Sequence, residues 1–171
     1  IKIVVSQIAW EEIRTQELDK LKKAMVAFNR ASNKLKNQLE TNVVAGGLTD
    51  PIVGRLSSDE AKAASIKNME AFAKENHIEI VIWSVDHADR TWTRYFDELP
   101  PFENTDIERE ERRKNIPDAW ILEAAIDTKE NYGEIVAGCA DNGLCDALEQ
   151  HEIQSYHNIN DLILYVESEI F

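Results

Sequence analysis

Cysteine, proline and glycine are scarce in this chain, which has two cysteines, four prolines and six glycines among its 171 residues. Cys139 and Cys145 lack the spacing and the accompanying ligands of a metal site, so the sequence excludes a cysteine-rich metal centre and favours reduced packing residues. The scarcity of proline and glycine, without repeats or biased tracts, excludes a low-complexity chain. The remaining composition, 43% hydrophobic and 30% charged, predicts one globular domain that buries a core.

Long hydrophobic runs are absent as well. No apolar run approaches the length of a membrane span, and no signal-peptide pattern opens the chain. These two absences predict a protein without a membrane partner, and the reduced cysteines favour a cytoplasmic one. The first residue is Ile1 rather than methionine and a strand-like run begins at once, so we expect a fragment of a longer chain or a chain whose first residues are missing.

Positive charge is also in deficit, because the formal net charge is −13. This balance argues against extensive electrostatic binding of nucleic acid, because such binding depends on neutralising phosphates with lysine and arginine. It does not exclude a nuclease, since clustered carboxylates can hold divalent cations that supply the local positive charge. A simpler explanation is that the acidic balance keeps the protein soluble.

Short β-branched runs alternate with helical patterns along the chain. The runs that predict strands lie at residues 1–5, 77–85, 134–139 and 153–156. The predicted helices begin near Ser6, Ser57 or Ser58, Ala88, Pro117, Leu144 and Asn158, and a glycine-containing loop is predicted at residues 42–55. This alternation predicts an α/β fold, a three-layer α/β/α sandwich with a mainly parallel, Rossmann-like sheet that contains both residues 1–5 and residues 134–139.

The most informative stretch surrounds the predicted helix start at Pro117. Proline suits the first turn of a helix, and the helix macrodipole favours the negative charge of Asp118 beside it. Arg112, Arg113 and Lys114 lead into this point. A carboxylate fixed beside basic residues could serve a metal or a phosphate-bearing substrate. These residues alone favour the alternative, an ordinary helix start preceded by a solvated basic run.

Acidic residues also follow two of the predicted strands. Asp141 stands just past residues 134–139, and the pair Glu11 and Glu12 follows residues 1–5. Because ligands of such sheets bind outside the carboxyl ends of the strands, these carboxylates are expected at one edge, where Asp118 could also point. The alternative for Glu11 and Glu12 is a surface pair in the first turn of a helix, where it interacts with the macrodipole.

These pieces resemble the PIN-domain nucleases, in particular the larger bacterial PIN-like proteins with a long helical insertion. Residues 4–13 resemble the strand and helix start that carry the first helical glutamate of the family, for which Glu12 is the better match and Glu11 the second. The most specific piece is Pro-Pro-Phe at residues 100–102 followed by Lys-Asn-Ile-Pro-Asp-Ala at residues 114–119, which resembles the central motif. Residues 136–144 resemble the late strand and its acidic turn.

The resemblance implies a single PIN-like domain over residues 1–171, with a mostly helical insertion at residues 14–98. A PIN domain opens with a strand that carries an aspartate, usually in an Asp-Thr-Asn context, and the printed sequence has no such segment. That strand is therefore expected upstream of Ile1 or on another polypeptide, unless the protein is inactive. The upstream position fits the abrupt start best.

The implied activity is metal-dependent cleavage of phosphodiester bonds, in RNA more often than in DNA. Mg²⁺ or Mn²⁺ would be the cofactor, since these hard cations prefer oxygen ligands. Glu12, Asp118 and Asp141 would be the metal ligands and catalytic residues. Lys114 or Arg113 would steady the scissile phosphate, although a solvated basic run explains them equally well. Asp146, on the next helix, could assist, and a surface role is the favoured alternative.

The resemblance further implies a toxin or a phage-defence effector, with an antitoxin, another protein or further domains of the same chain as partner. A second hypothesis is a catalytically inactive PIN-like module that binds RNA or a partner protein. An upstream Asp-Thr-Asn strand would favour the enzyme over this module. A third hypothesis, a Rossmann-like phosphatase or receiver-type regulator, requires a nucleophilic aspartate on a first strand and lysine or threonine on later ones. Neither pattern is clear in the sequence.

Overall fold

The computed structural model describes residues 2–41, 58–102 and 108–170, and the chain divides into two compact units. The first unit comprises Ile1–Trp10 and Glu79–Phe171, and the second comprises Glu11–Ile78. The loop predicted at residues 42–55 and the cap predicted at Ser57 lie outside the described residues.

The described part of the second unit contains two helices. Helix α1 (Gln7–Thr41) begins in the first unit and continues into the second, and helix α2 spans Ser58–Glu75. The hydroxyl of Ser6 accepts a hydrogen bond from the N–H of Ala9 at 3.2 Å, which confirms the predicted cap of α1. Among the described residues, no helix is long and apolar enough to cross a membrane.

The described strands form two separate parallel pairs. Strands β1 (Val4–Ser6) and β2 (Glu79–Val81) make one pair, and β3 (Val136–Gly138) and β4 (Gln154–Tyr156) make the other. The mixed α/β class and the parallel pairing are confirmed. The prediction that residues 1–5 and 134–139 share one sheet is wrong for the described strands, which do not show a three-layer sandwich. Each ladder is only three residues long, and β1 and β3 each pair on one side alone.

Beyond the strands and the start of α1, the described residues of the first unit form five helices and one 3₁₀ turn. They are α3 (Val85–Phe96), α4 (Arg109–Arg112), the 3₁₀ turn (Arg113–Asn115), α5 (Ile116–Tyr132), α6 (Asn142–Gln150) and α7 (Ile159–Ile170). Strand β2 is shorter than the predicted run at residues 77–85 because Ser84 starts α3. The Ser84 hydroxyl accepts from the N–H of His87 at 3.2 Å, and His87 Nδ1 accepts from the N–H of Ser84 at 3.1 Å.

Helix α5 supplies residues to two buried apolar clusters among the described residues of the first unit. One cluster consists of Leu122, Leu144, Ala147, Leu148 and Ile153, and the other of Tyr95, Phe102 and Ala119. Burying a leucine completely, as at position 122, contributes about 1.5–3 kcal/mol. The first cluster joins α5 to α6 and to the start of β4, and the second joins α5 to α3. Helix α5 is therefore the element around which the first unit is packed.

Candidate active site

Helix α5 runs antiparallel to β1 and β2. At its last turn, the Tyr132 hydroxyl accepts from Lys2 Nζ at 2.6 Å and donates to Glu79 Oε1 at 3.0 Å, and these two residues lie where the strands begin. Near its first turn, the ring of Trp120 contacts the ring of Trp83, which follows β2, with 5.4 Å between the ring centroids. The N-terminal end of α5 therefore lies where β1 and β2 end, which is where parallel α/β sheets bind ligands.

The same helix runs against the second strand pair. Lys129 Nζ donates to the carbonyl oxygens of His151 at 2.8 Å and Glu152 at 3.0 Å, directly before β4. Because β3 and β4 are parallel, α6 runs back from the carboxyl end of β3 to the start of β4. Asp141, which begins α6, therefore lies at the carboxyl ends of β3 and β4, towards the first turn of α5.

Asp118 occupies the first turn of α5 and is half-buried. Pro117 precedes it within that turn, as predicted. At 3.6 residues per turn, Asp118 shares a helix face with Leu122 and Ala125. Leu122 belongs to the cluster formed with α6, and Ala125 packs against that cluster. The structure thus brings Asp118 and Asp141 to the same end of the first unit. That their carboxyl groups face a common pocket stays a prediction.

Asp141 also has a structural role, because it is the N-cap of α6. Its Oδ1 accepts a hydrogen bond from the N–H of Leu144 at 2.9 Å. A side chain at Gly143 would place its Cβ 3.4 Å from this same oxygen, so glycine keeps the space beside the carboxylate open. Capping engages Oδ1 and fixes the direction of the carboxyl group.

The third predicted ligand, Glu12, belongs to the second unit and is exposed. Helix α1 begins at Gln7, so Glu11 and Glu12 lie in its second turn, and the alternative of a first-turn pair is wrong. Glu11 forms an ion pair with Arg14 in the following turn. The convergence of Glu12 with Asp118 and Asp141 stays a prediction.

The basic residues before α5 lie on exposed or half-buried surface. Lys114 Nζ pairs with Glu111 at 2.6 Å, and Arg112 Nη1 pairs with Glu98 at 2.7 Å. Arg113 is exposed in the 3₁₀ turn. Exposed ion pairs of the Lys114 kind are weak and readily exchanged, so its pairing is compatible with phosphate binding but does not indicate it.

The comparison with known proteins agrees with this arrangement. A family model described as a PIN domain matches residues 1–142, which include Asp118 and Asp141. The chain belongs to the PIN-domain family. A search of curated proteins and a search of solved structures found no match. PIN domains are generally nucleases and typically use divalent metals, so a nuclease-type function follows from the family in general terms.

The carboxylate oxygens of this PIN domain are ligands of the type that a hard divalent cation prefers. Carboxylate oxygens such as those of Asp118 and Asp141 are the ligands that Mg²⁺ and Mn²⁺ prefer. Within residues 2–41, 58–102 and 108–170, however, no three His, Cys, Asp or Glu side chains are grouped so that they could hold a metal ion. The described residues therefore fit such an ion in donor type but do not by themselves make a complete site.

A buried ionic network between α3 and α5 was missed from the sequence. Glu123, with 1% of its side chain exposed, accepts hydrogen bonds from Nε of both Arg90 and Arg94. Asp127 accepts from Arg90 Nη2 at 2.7 Å and lies 2.7 Å from His87 Nε2. A signal was available, because the arginines and the carboxylates are each four residues apart and so share one helix face.

A thiol cluster lies beside Asp141, at the carboxyl ends of β3 and β4. Cys145 Sγ donates to the carbonyl oxygen of Cys139 at 3.2 Å and lies 3.7 Å from His157 Nδ1. Burial, together with a hydrogen bond to the Cys145 thiol, raises the pKa of Cys139 to about 12. Neither cysteine forms a disulfide. The contact with His157 could not be predicted from the sequence, because it depends on the pairing of β3 with β4.

Proposed function

We propose that this PIN-domain protein is a divalent-metal-dependent endonuclease that hydrolyses phosphodiester bonds, in RNA rather than DNA. The observation that carries the proposal is the position of Asp118 and Asp141 at one end of the first unit, within a family that is generally nucleolytic. Two carboxylates that start neighbouring helices at the carboxyl ends of parallel strands are placed where such folds bind ligands.

In the proposed site, Asp118 and Asp141 would hold one or two Mg²⁺ or Mn²⁺ ions, directly or through water. The resemblance adds Glu12 as the third ligand. When bound, such an ion supplies Lewis acidity that activates water and offsets the charge on the leaving oxygen. Pro117 fixes the helix start that carries Asp118, and the α5 macrodipole favours the ionised carboxylate. The capping bond to Leu144 orients Asp141.

The substrate phosphate is assigned to Arg113 and Lys114 in this proposal. Both side chains are exposed immediately before α5. Lys114 would exchange its carboxylate partner, Glu111, for a phosphate oxygen of the substrate. Arg113 would add a planar donor that suits phosphate oxygens.

The resemblance to PIN-like proteins also supports a finer account of the fold. In this account residues 1–171 form one domain, with a mostly helical insertion at residues 14–98. Both observed strand pairs run antiparallel to α5 and thus in the same direction. In the same account, the helices and the parallel strands belong to a three-layer α/β/α sandwich.

For the biological setting we propose a cytoplasmic toxin or phage-defence effector, partnered by an antitoxin, another protein or further domains of the chain. The alternative is a catalytically inactive PIN-like module that binds RNA or a protein. One observation favours the alternative, since the described residues do not group three metal ligands.

Cleavage of labelled single-stranded RNA and DNA in Mg²⁺ or Mn²⁺ by the full-length protein tests the proposal. Asp118→Asn and Asp141→Asn should each lower the rate by more than roughly 100-fold, because each removes a charged ligand. Asp161→Asn, in the first turn of α7, is the matched control and should cleave like wild type. Cleavage that survives both Asp118→Asn and Asp141→Asn would assign the chemistry elsewhere. A full-length wild type that neither cleaves nor binds metal would establish the inactive module.

A further inference from the structure

Two tryptophans form an aromatic pair at the end of the first unit that carries Asp118. The rings of Trp83 and Trp120 meet edge to face, with an interplanar angle of 84°. Trp83 is 53% exposed, and Trp120 is half-buried two residues after Asp118. A large aromatic ring that is exposed to solvent beside a ligand-binding edge is typical of recognition surfaces, because burial of its apolar face in a complex is favourable.

Local contacts hold Trp83 in place. Its backbone N–H donates to Oε1 of Gln7 at 3.3 Å, and Gln7 is the first residue of α1 after β1. The edge contact with Trp120 fixes the ring against α5. Ile82 and Val85, on either side of Trp83 in the chain, are each 73% exposed, so the surrounding surface is open and apolar. A platform ordered in advance loses little conformational freedom on binding.

We propose that Trp83 and Trp120 form a stacking platform for an unpaired base of the nucleic acid substrate. The inference rests on the proposed nuclease function and adds to it a binding site for one base, which must be unpaired because a base stacked within a duplex cannot lie on an indole ring. The platform is a binding site adjoining the carboxylates, with Trp83 as the principal stacking surface and Trp120 as its support.

The negative net charge of the protein limits the electrostatic contribution to its affinity for nucleic acid, so another contribution such as stacking is needed. The net charge of −13 argues against binding of a polyanion mainly through release of counterions from its phosphates. Stacking of a base on an aromatic side chain contributes about 1–3 kcal/mol and depends little on base identity. The platform thus supplies affinity that the electrostatics of this protein do not, and we expect weak sequence preference.

Binding of a fluorescent single-stranded adenine-rich RNA, measured by anisotropy, tests the platform. The full-length Asp118→Asn protein serves as the parent, so that binding is separated from cleavage. Adding Trp83→Ala should weaken binding about 10-fold at both low and high salt, and Trp83→Phe should restore part of the loss. Trp92→Ala is the matched control, because Trp92 is 46% exposed on α3 and stacks on Phe96. Circular dichroism checks that each variant is folded.

Equal RNA affinity of the parent and the Trp83→Ala variant would overturn the platform, as would an equal loss in Trp92→Ala. Undetectable binding of single-stranded RNA by the parent would also overturn it. If Trp83 carries RNA binding but the wild type never cleaves, the nuclease proposal fails and the platform stands as a binding site. A Trp83→Ala variant that keeps its RNA affinity but loses a protein partner would assign the surface to that partner instead.

A second measurement tests the platform without any substitution of a tryptophan. Stacking of a base on Trp83 should quench the tryptophan fluorescence of the parent when unlabelled RNA is added, and an RNA duplex of the same sequence should quench it far less. Equal quenching by the duplex would contradict the selection of unpaired bases.

Discussion

The carboxylate of Glu123, buried in the middle of α5, accepts a hydrogen bond from Nε of Arg94 on α3. The same guanidinium donates to the carbonyl oxygen of Pro100 at 3.1 Å and to Nε2 of His151 at 2.9 Å. One arginine therefore links two helices, the chain after α3 and the turn before β4. The pair helps to hold α5, and with it the helix start at Asp118, in a fixed position within the first unit.

Replacing Glu123 with glutamine should destabilise the protein by about 3 kcal/mol, because two arginines lose their charged acceptor. This loss in the free energy of unfolding lies at the lower end of what breaking a buried ion pair usually costs, since the Arg90 side chain is 43% exposed and can be rehydrated. Urea unfolding measures the change. Glu130→Gln, at an exposed position on the same helix, should change stability by less than about 0.5 kcal/mol. Equal stabilities of the two variants would show that the network contributes nothing.

Helix starts could be predicted from the sequence because they depend on neighbouring residues. Ser6 caps α1, Pro117 lies in the first turn of α5, and Asn158 Oδ1 accepts from the N–H of Asn160 at 2.9 Å at the start of α7. The carboxylates Asp118 and Asp141 could be chosen for the same reason, since each stands at a helix start. The position of both aspartates at the same end of the first unit then follows from the direction of the strands.

Features that depend on distant partners could not be predicted in this way. The pattern at residues 134–139 identifies a strand but carries no information about which strand pairs with it. Glu123 stands between Leu122 and Ala124 as an ordinary helical glutamate would, and its burial depends on arginines 29 and 33 residues away. The position of Glu12 relative to the two aspartates likewise depends on long-range packing.

The capping role of Asp141 can be separated from its proposed metal role by two substitutions. Asp141→Ala should lower the free energy of unfolding by about 1 kcal/mol, because the N–H of Leu144 loses its acceptor. Asp141→Asn should lower it much less, since asparagine is an equally good cap. Thermal or urea unfolding gives both values. If alanine is tolerated as well as asparagine, the capping bond does not stabilise α6.

Stability should fall in mild acid partly because of His151. Burial and the nearby Arg94 lower the pKa of His151 below its ordinary value of 6.5. The unfolded state therefore binds the proton first, so this contribution is complete above about pH 6.5 and is lost as the pH falls through the folded-state pKa. His151→Gln keeps an acceptor for Arg94 without titrating, and its urea midpoint should depend less on pH between about pH 7 and 5. Parallel pH profiles for the variant and wild type would contradict this role.

Cys139 should resist alkylation in the folded protein. Its pKa, raised from 9.0 to about 12 by burial and by the Cys145 hydrogen bond, lowers the thiolate fraction near neutral pH by roughly 1,000-fold. Iodoacetamide labelling at about pH 8, followed by mass spectrometry, should modify Cys139 slowly in buffer and rapidly in denaturant. Rapid labelling of Cys139 in the folded state would show that the thiol cluster beside Asp141 is open to solvent.

The most direct test of the central claim is the binding of Mn²⁺ to the full-length protein, measured by calorimetry without nucleic acid. If Asp118 and Asp141 hold a divalent ion, Asp118→Asn and Asp141→Asn should each weaken binding by at least about 10-fold, and Asp161→Asn should bind like wild type. Because Asp141→Asn keeps the helix cap, loss of binding cannot be attributed to loss of α6. Wild-type affinity for Mn²⁺ in the Asp118→Asn, Asp141→Asn double variant would contradict the account.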